Sequence, residues 1–317
     1  MNSHGESSNT LAGLKGRDIL SLVELSPREI DLILKRAAIL AKRKRVPQRL
    51  KGKTVALIFQ KPSTRTRVSF ETAVAQLGGH PTYLSWNEMQ LGRGETISDT
   101  AKVLDRYVDA IMARVYSHDD LIVLADNADA PVVNGLSDKH HPCQILADLL
   151  TLIQYKKRLK GLKLAYVGDG NNVCNSLLIG CAKTGVNIAV ATPLGYGPDP
   201  EAVKHAKEAG ETSGASISIV EDPEEVVRAA DAVYTDTFVS MGMEKEKETR
   251  LSTFIPKYQV NRGLLLHAKP GAIFLHCLPA HRGEEVTDDV IDGPQSAVWD
   301  EAENRLHTAR GLLSLIL

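Results

Sequence analysis

A short polar run offers the most direct chemistry in this sequence: Ser63, Thr64, Arg65 and Thr66. It lies between an apolar run that ends at Phe59 and an amphipathic pattern that begins at Val68, which predicts a strand, a tight turn and a helix. Such a helix start aims backbone N–H groups and a positive dipole end at the turn, where the guanidinium of Arg65 or Arg67 adds further donors. These features favour a phosphate-binding turn. The alternative is an ordinary capped helix with solvated arginines.

Polar residues also follow two later apolar runs in the same half of the chain. Arg114 closes one run, and His141 and Gln144 lie in a turn between another run and a helix that we predict over about 145–157. Ligands of open parallel sheets collect beyond the carboxyl ends of the strands, so we expect these side chains to face the same crevice as the phosphate turn. The alternatives are a surface arginine on an edge strand and a structural histidine.

A glycine turn, residues 168–172, follows the first apolar run of the second half. It is similar to a dinucleotide-binding turn. That fingerprint, however, needs a third glycine where Val173 stands and an acidic residue after the next strand, where residues 189–192 have none. We therefore disfavour a nicotinamide cofactor.

Asp236 ends an apolar run of the second half, and Ser240, Met241 and Gly242 follow it. This pattern favours a carboxylate that meets a cationic group beneath a movable lid. The charged segment beyond it, residues 244–250, is typical of a solvated helix face.

Another turn contains His276, Cys277, Leu278 and Pro279, with His281 just beyond. The two histidines and the cysteine make zinc an alternative, but a fourth ligand nearby in the sequence is absent, so we predict no metal site. A cysteine that simply packs in the core is the other alternative.

The overall composition excludes several classes of protein. The chain has 317 residues, enough for two domains, and its 38 basic and 39 acidic residues create no overall field for nucleic acid or an anionic membrane. Four cysteines without close pairing predict reduced thiols. No segment has the apolar length of a membrane span, and the polar residues 1–10 match neither a signal nor a transit peptide, so we expect a cytoplasmic protein.

Apolar runs alternate with helical patterns along the whole chain. The first helix begins at a capping box, Ser26 to Glu29, and its basic end at residues 42–45 offsets the helix dipole, which is a simpler reading than nucleic-acid binding. The alternation predicts an α/β protein of two domains, each a mainly parallel sheet flanked by helices.

Four motifs in this order resemble the ornithine carbamoyltransferase family: Ser63-Thr-Arg-Thr66, His141-Pro-Cys-Gln144, Asp236-x₃-Ser240-Met-Gly242 and His276-Cys-Leu-Pro279. The resemblance runs from about Leu20 to the C-terminus. The related aspartate carbamoyltransferases share the first two motifs and lack the last two, so the last two select the second substrate. The chain departs from the family pattern at Phe238, where tryptophan is usual, and at Cys143, where threonine is common.

The resemblance implies binding roles position by position. Carbamoyl phosphate is expected to contact Ser63, Thr64, Arg65, Thr66, Gln90, Arg114, His141, Gln144, Cys277, Leu278 and Arg305, and ornithine is expected to contact Asn172, Asp236, Ser240 and Met241. Residues 1–148 would bind carbamoyl phosphate and residues 149–317 ornithine, with a C-terminal helix at about 302–317 packing back on the first domain. No cofactor or metal is implied. Gln90 would reach a neighbouring subunit's site, so the partners are the two substrates and further copies of the chain, most simply in a trimer.

The implied reaction is attack of the ornithine δ-amine on the carbamoyl carbon, followed by collapse of an oxyanion to citrulline and phosphate, in arginine biosynthesis. The catalytic residues would be Arg114, His141, Asp236 and Cys277, acting through preorganised donors and orientation of the reactants, without a covalent intermediate. The alternatives are a transferase for a neighbouring amine, such as putrescine or an N-acylated ornithine, and a non-catalytic binding module. The presence of Asp236, Cys277 and Arg305 disfavours the binding module.

Overall fold

The computed structural model describes residues 13–240 and 242–317, so the N-terminal segment interpreted above and Met241 lie outside the described residues. It divides into two compact units, one comprising the chain up to residue 146 together with residues 305–317, the other residues 147–304. Each unit is built on one parallel sheet flanked by helices, which confirms the predicted fold class. The predicted division of substrates at residue 148 concerns binding and stays a prediction.

The first unit contains a four-stranded parallel sheet of order β2-β1-β3-β4. Its strands are β1 (Thr54–Phe59), β2 (His80–Ser85), β3 (Ala110–Arg114) and β4 (Val132–Leu136). All residues of β1 after the first are buried, and those of β3 are buried throughout. Continuous burial is what a parallel sheet covered on both faces requires, and it explains the apolar runs in the sequence.

The helices that begin in the first unit, including a 3₁₀ turn at Gln90–Arg93, are α1 (Pro27–Ala41), α2 (Thr64–Gln76), α3 (Ile97–Leu104), α4 (His118–Asp126) and α5 (Pro142–Lys156). Ser26 and Glu29 form the predicted capping box at the start of α1. Helix α5 begins three residues earlier than predicted because Pro142 occupies its first turn, where a missing N–H costs nothing.

The second unit contains a five-stranded parallel sheet of order β7-β6-β5-β8-β9. Its strands are β5 (Lys163–Val167), β6 (Asn187–Ala191), β7 (Ile217–Val220), β8 (Ala232–Tyr234) and β9 (Ile273–Leu275). Its helices, with a 3₁₀ turn at Glu244–Glu246, are α6 (Asn172–Thr184), α7 (Pro200–Ser213), α8 (Pro223–Val227), α9 (Lys247–Phe254), α10 (Arg262–Leu265), α11 (Asp288–Ile291) and α12 (Val298–Ile316).

Each unit has its own apolar core. The second unit's core includes a stack of Phe238 on Phe254, whose ring centroids are 4.6 Å apart, with Tyr258 against Phe254. The departure from tryptophan at position 238 is therefore a packed aromatic side chain that is fully buried. Over the part of the chain that the structure describes, none of the helices has both the length and the apolar character needed to cross a membrane.

The C-terminal part of α12 belongs to the first unit. Gly311 lies so close to α1 that a Cβ atom there would come within 2.9 Å of the backbone nitrogen of Ala37. Lys53 donates from Nζ to the carbonyl of Leu317 at 2.7 Å. The last helix is thus held by close backbone packing and by a cation at its C-terminal end, where the helix dipole favours one.

Candidate active site

The polar run that follows β1 is a helix start, as predicted. Helix α2 begins at Thr64, and Ser63 is its N-cap, since the Ser63 hydroxyl accepts the Thr66 N–H at 3.2 Å. Thr64 is exposed, Arg65 is half-buried and Thr66 is buried. The turn therefore presents the first backbone N–H groups of a 13-residue helix together with hydroxyl groups, which is a suitable environment for an anion.

The two arginines of the turn differ in their surroundings. Arg67 donates to Glu71 at 2.9 Å, and its guanidinium lies 3.6 Å from the centroid of the Tyr83 ring. Arg65 acts electrostatically on His141 instead. Of the alternatives left open by the sequence, Arg65 is therefore the better candidate for a charge that meets a phosphate.

Four more predicted residues converge near this turn. Strands β1, β3 and β4 are adjacent in the sheet, so Arg114 at the end of β3 and His141 beyond β4 lie beside the turn that follows β1. Arg305 donates to the Gln144 side-chain oxygen and, at 3.4 Å, to the Thr66 hydroxyl. Arg114 is only 6 % exposed, so it is not a surface arginine.

His141 lies fully inside this cationic cluster. Burial, followed by the charges of Arg305, Arg114 and Arg65, lowers the pKa of His141 well below its usual value. The imidazole is consequently neutral near pH 7, so it can donate one hydrogen bond from one ring nitrogen and accept another at the second.

A glycine that the sequence analysis overlooked shapes this cluster. The register between β3 and β4 shifts after Ala113, so that Arg114 pairs with Leu136. Gly135 falls at the shift, where a Cβ atom would come within 2.5 Å of the Met112 sulfur and 3.5 Å of the Thr66 methyl carbon. A side chain at position 135 would push on both the sheet and the phosphate turn.

In the second unit, Asp236 and Cys277 meet at the carboxyl ends of the adjacent strands β8 and β9. Cys277 donates from Sγ to Asp236 Oδ1 at 3.0 Å. Asn171 donates from Nδ2 to Asp236 Oδ2 at 2.7 Å. Asn171 was not among the predicted site residues. Its position beside the predicted Asn172, in the glycine turn, could have indicated its contact with Asp236.

The Cys277 thiol is not poised as a nucleophile. Burial and the neighbouring Asp236 carboxylate, which accepts its hydrogen bond, raise the pKa of Cys277 well above its usual value. All four cysteines are free thiols, as predicted. A thiol that stays protonated is a weak nucleophile and a hydrogen-bond donor.

The other predicted ornithine residues lie near this end of the sheet or in the segment that follows it. Asn172 is the first residue of α6, next to the Asn171 cap that binds Asp236, and Ser240 is half-buried in the segment after Asp236. Met241, the remaining one, lies outside the described residues. Leu278 follows Cys277 and is half-buried, with φ of 56°.

The expectation of a wholly solvated charged face at residues 244–250 is wrong at its last residue. Arg250 is 4 % exposed; it forms an ion pair with Asp169, and its Nε donates to the Phe238 carbonyl at 2.5 Å. Its guanidinium also lies 5.0 Å from the centroid of the Tyr196 ring. The segment after Asp236 is therefore tied to the glycine turn at 168–172 through a buried ion pair.

The dinucleotide alternative has no support in the geometry of that glycine turn. A Cβ atom on Gly170 would clash with the backbone at Gly197 and Pro198, so this glycine serves close packing between two chain segments. The Asn171 side-chain oxygen accepts the N–H groups of Val173 and Cys174, which are the first amides of α6. A pyrophosphate would need those same amides.

The zinc alternative is disfavoured at His276. Candidate ligand atoms of Asp236, His276 and Cys277 lie within 4.8 Å of one another. However, His276 Nδ1 accepts the Leu278 N–H at 2.8 Å, and His276 Nε2 lies 3.2 Å from the Glu285 carboxylate. Both ring nitrogens of His276 are engaged, so the arrangement favours a rigid turn over a metal site.

Gln90, the residue expected to reach a neighbouring subunit, is exposed at the start of the 3₁₀ turn. Gly92 in this turn approaches the Trp86 carbonyl so closely that a Cβ atom would lie 3.0 Å from it. The turn thus packs against its own loop and leaves the Gln90 side chain in solvent.

The chain is similar to known proteins over nearly its whole length. The chain matches the family model of the aspartate/ornithine carbamoyltransferase carbamoyl-P binding domain over residues 17–154 and that of the Asp/Orn binding domain over residues 160–316. It is 56 % identical over 310 residues to the ornithine carbamoyltransferase of Pyrococcus abyssi, covering 97 % of this chain and 98 % of that protein. The relative from Bacillus subtilis is 54 % identical over 308 residues, with 97 % and 96 % covered. The solved structure of ornithine carbamoyltransferase from Pyrococcus furiosus matches with a TM-score of 0.92 at 55 % identity, covering 96 % of this chain and 97 % of that one.

Proposed function

The chain belongs to the aspartate/ornithine carbamoyltransferase family, and from this premise we propose that it transfers the carbamoyl group of carbamoyl phosphate to the δ-amine of L-ornithine, giving L-citrulline and phosphate. The observation that carries the proposal is identity of 54 to 56 % over nearly the whole chain with relatives named as ornithine carbamoyltransferases. A relative from Pyrococcus furiosus, 54 % identical over 310 residues, is named an anabolic ornithine carbamoyltransferase, which supports a role in arginine biosynthesis.

Carbamoyl phosphate would bind in the first unit. The phosphate would accept hydrogen bonds from the N-terminal amides and hydroxyls of α2, and Arg65 would neutralise its charge. Arg114, His141 and Gln144 would surround the carbamoyl group, while Arg305, already bonded to Gln144 and Thr66, would complete the cationic cluster. The close grouping of three guanidiniums around a neutral His141 supports this arrangement, because their positive charges attract a dianion.

The chemical step needs donors aimed at the developing oxyanion. Arg114 and the hydroxyl of Thr66 are donors at neutral pH, and the neutral His141 can donate as well without adding a charge. The same cationic cluster would stabilise the phosphate that leaves. The residues supply no group for covalent catalysis, since the candidate thiol of Cys277 is held protonated.

Ornithine would bind in the second unit. Asp236 accepts hydrogen bonds from Cys277 and Asn171, so its carboxylate is fixed in orientation and can receive the α-ammonium group of the substrate. Asn172, Ser240 and Met241 would contact the rest of the amino acid. A fixed carboxylate and a fixed thiol favour orientation of the reactants as a large part of the rate acceleration.

The active unit would be an oligomer, most simply a trimer, in which Gln90 completes the site of a neighbour. The support for this part is the family resemblance together with the exposure of Gln90 on a closely packed turn. A cytoplasmic location remains the sequence-based prediction.

One assay tests the reaction. Citrulline or its analogue is measured after mixing the purified protein with carbamoyl phosphate and, in parallel, ornithine, putrescine or N-acetylornithine. We expect turnover with ornithine only, because putrescine lacks the α-carboxylate of the amino acid, and acetylation removes the positive charge of the α-amino group that Asp236 would bind. Faster turnover of either other amine would replace the proposed substrate, and no turnover of any would reject the transferase.

A further inference from the structure

A pair of buried carboxyl groups lies behind the Cys277 turn in the second unit. Asp148 belongs to α5 and Glu301 to α12, and neither is exposed. Their side chains are hydrogen-bonded to each other. The predicted mechanism gives neither residue a role, and nothing in the sequence motifs singles them out.

A hydrogen bond between two carboxyl groups requires a proton, because two carboxylates offer acceptors only. Two buried negative charges in contact would also repel each other with little solvent to screen them. Burial and the neighbouring Asp148 raise the pKa of Glu301 well above its usual value. Burial and the contact with Asp148 therefore favour a proton that is retained between the two carboxyl groups.

Glu301 also connects the pair to the turn that carries Cys277. Its Oε2 accepts the backbone N–H of His276 at 2.9 Å, and its Oε1 accepts the Tyr234 hydroxyl at 3.3 Å. Tyr234 ends β8, one strand away from the turn after β9, and its ring stacks on Tyr166 with centroids 6.0 Å apart. One carboxyl group thus joins α12 to both strand ends that present Asp236 and Cys277.

We propose that Glu301, hydrogen-bonded to Asp148, is a positioning residue that fixes the backbone of the His276-Cys277 turn and so holds the Cys277 thiol against Asp236. The inference rests on the proposed function, because it assigns Glu301 to the placement of ornithine.

The shared proton helps Glu301 to hold the His276-Cys277 turn. The titratable groups that face Glu301 are Asp148 from α5, Tyr234 from β8 and Cys277 from the turn. All three are neutral or acidic, so none supplies a positive charge that would stabilise a doubly ionised pair. Loss of the proton would drive the two carboxylates apart and withdraw the acceptor from the His276 N–H.

Two substitutions separate the acceptor from the charge. Glu301→Gln keeps an oxygen for the His276 N–H and gives Asp148 an N–H donor, so it imitates the protonated pair. Glu301→Met keeps the length of the side chain and removes the acceptor. Glu303→Met, at an exposed position of the same helix, is the matched control.

We expect Glu301→Gln and Glu303→Met to stay within about threefold of wild type, and Glu301→Met to lose on the order of 100-fold in kcat/KM for ornithine, as a misplaced reacting group does. In Glu301→Met, the KM for carbamoyl phosphate should change less than kcat/KM for ornithine. If Glu301→Met does not fold, Glu301→Asp tests the same point. It withdraws the carboxyl group by one methylene, so it should also lose kcat/KM for ornithine. A folded Glu301→Met or Glu301→Asp variant with unchanged ornithine kinetics would overturn the proposal. The proposed reaction is tested separately, by the assay of the unmutated protein.

Infrared difference spectroscopy tests the shared proton independently of activity. At ~pH 8, above the pKa of about 6 for Asp169, the wild-type spectrum should contain a protonated-carboxyl band that Glu301→Gln lacks. Absence of that band from wild type, or its persistence in Glu301→Gln, would overturn the assignment.

Discussion

Cys277 Sγ donates to Asp236 Oδ1 across 3.0 Å, and this contact joins the ends of two adjacent strands in the second unit. The contact decides the chemical character of the most conspicuous cysteine in the sequence. A thiol that donates to a carboxylate in a buried setting stays protonated, so Cys277 is a poor nucleophile.

The first prediction concerns the reactivity of this thiol. Because burial and Asp236 raise the pKa of Cys277, its alkylation by iodoacetamide at neutral pH should be slower than that of glutathione. Asp236→Asn removes the carboxylate and should accelerate the reaction, although burial still opposes the thiolate. The buried Cys143, Cys174 and Cys181 are internal controls that should not react. Rapid labelling of wild-type Cys277, followed by peptide mass spectrometry, would contradict the assignment.

The second prediction compares the two arginines of the phosphate turn. Arg65→Ala should raise the KM for carbamoyl phosphate and lower kcat together, a loss of about 2 to 4 kcal/mol in transition-state stabilisation. Arg67→Ala is the matched control, since Arg67 contacts Glu71 and Tyr83, and its kinetics should remain near wild type. Steady-state kinetics with varied carbamoyl phosphate measure both. Equal losses in the two variants would mean that the turn binds phosphate with both arginines.

The third prediction concerns His141 and pH. Its pKa lies well below the usual value of 6.5, so the imidazole is neutral at and above pH 6.5, and protonation should impair kcat/KM for carbamoyl phosphate only at lower pH. His141→Ala should lower kcat by about 100-fold or more, as loss of an oxyanion donor does. His205→Ala, a partly exposed histidine elsewhere, should leave the pH profile unchanged. An acid limb centred near 6.5 that disappears in His141→Ala would show that His141 works as a titrating group.

The fourth prediction is thermodynamic. Burial raises the pKa of Asp169 from 3.8 to about 6, although Arg250 opposes the shift. The folded state therefore holds the proton more tightly than the unfolded state, and the contribution of Asp169 to stability falls as pH rises from 3.8 through about 6. Urea unfolding across this range should show the advantage of wild type over Asp169→Asn shrinking by up to about 3 kcal/mol. An advantage that grows with pH would mean that the ion pair with Arg250 outweighs burial.

The fifth prediction tests shared sites. Arg65→Ala and Gln90→Ala subunits, each nearly inactive alone, are mixed after mild dissociation and reassembly. If Gln90 completes a neighbour's site, some mixed oligomers contain a site with neither defect, and activity reappears. A mixture no more active than its parents, despite exchange of subunits verified by native mass spectrometry, would mean that each chain builds its site alone.

Much of the fold followed from local patterns. The parallel strands are short apolar runs, and Ser26 and Ser63 are caps whose partners lie within three residues, so the sequence contains the whole interaction. Arg114 was predicted to close a strand, and it is the last residue of β3. These features depend on neighbours along the chain, which is where sequence reasoning is strongest.

The supporting residues were not predictable in the same way. Glu301 acts on a backbone amide 25 positions earlier and on Asp148 in another helix, and in the sequence it is one acidic residue among others on a helix. Arg250 was assigned to a solvated face because its neighbours are charged, whereas it pairs with Asp169, far away in the chain. Such contacts arise only when distant segments pack together.

The packing of Gly170 against the backbone at Gly197 and Pro198 has an evolutionary consequence. A glycine turn after a strand of a parallel sheet is a common feature of nucleotide sites, and an exchange of Val173 for glycine would restore one of the two features that the signature lacks here. It would not create a nucleotide site, because the Asn171 side chain already occupies the helix amides and the neighbouring chain fills the space. A change of sequence toward the dinucleotide signature would also have to undo this packing, which no single substitution does.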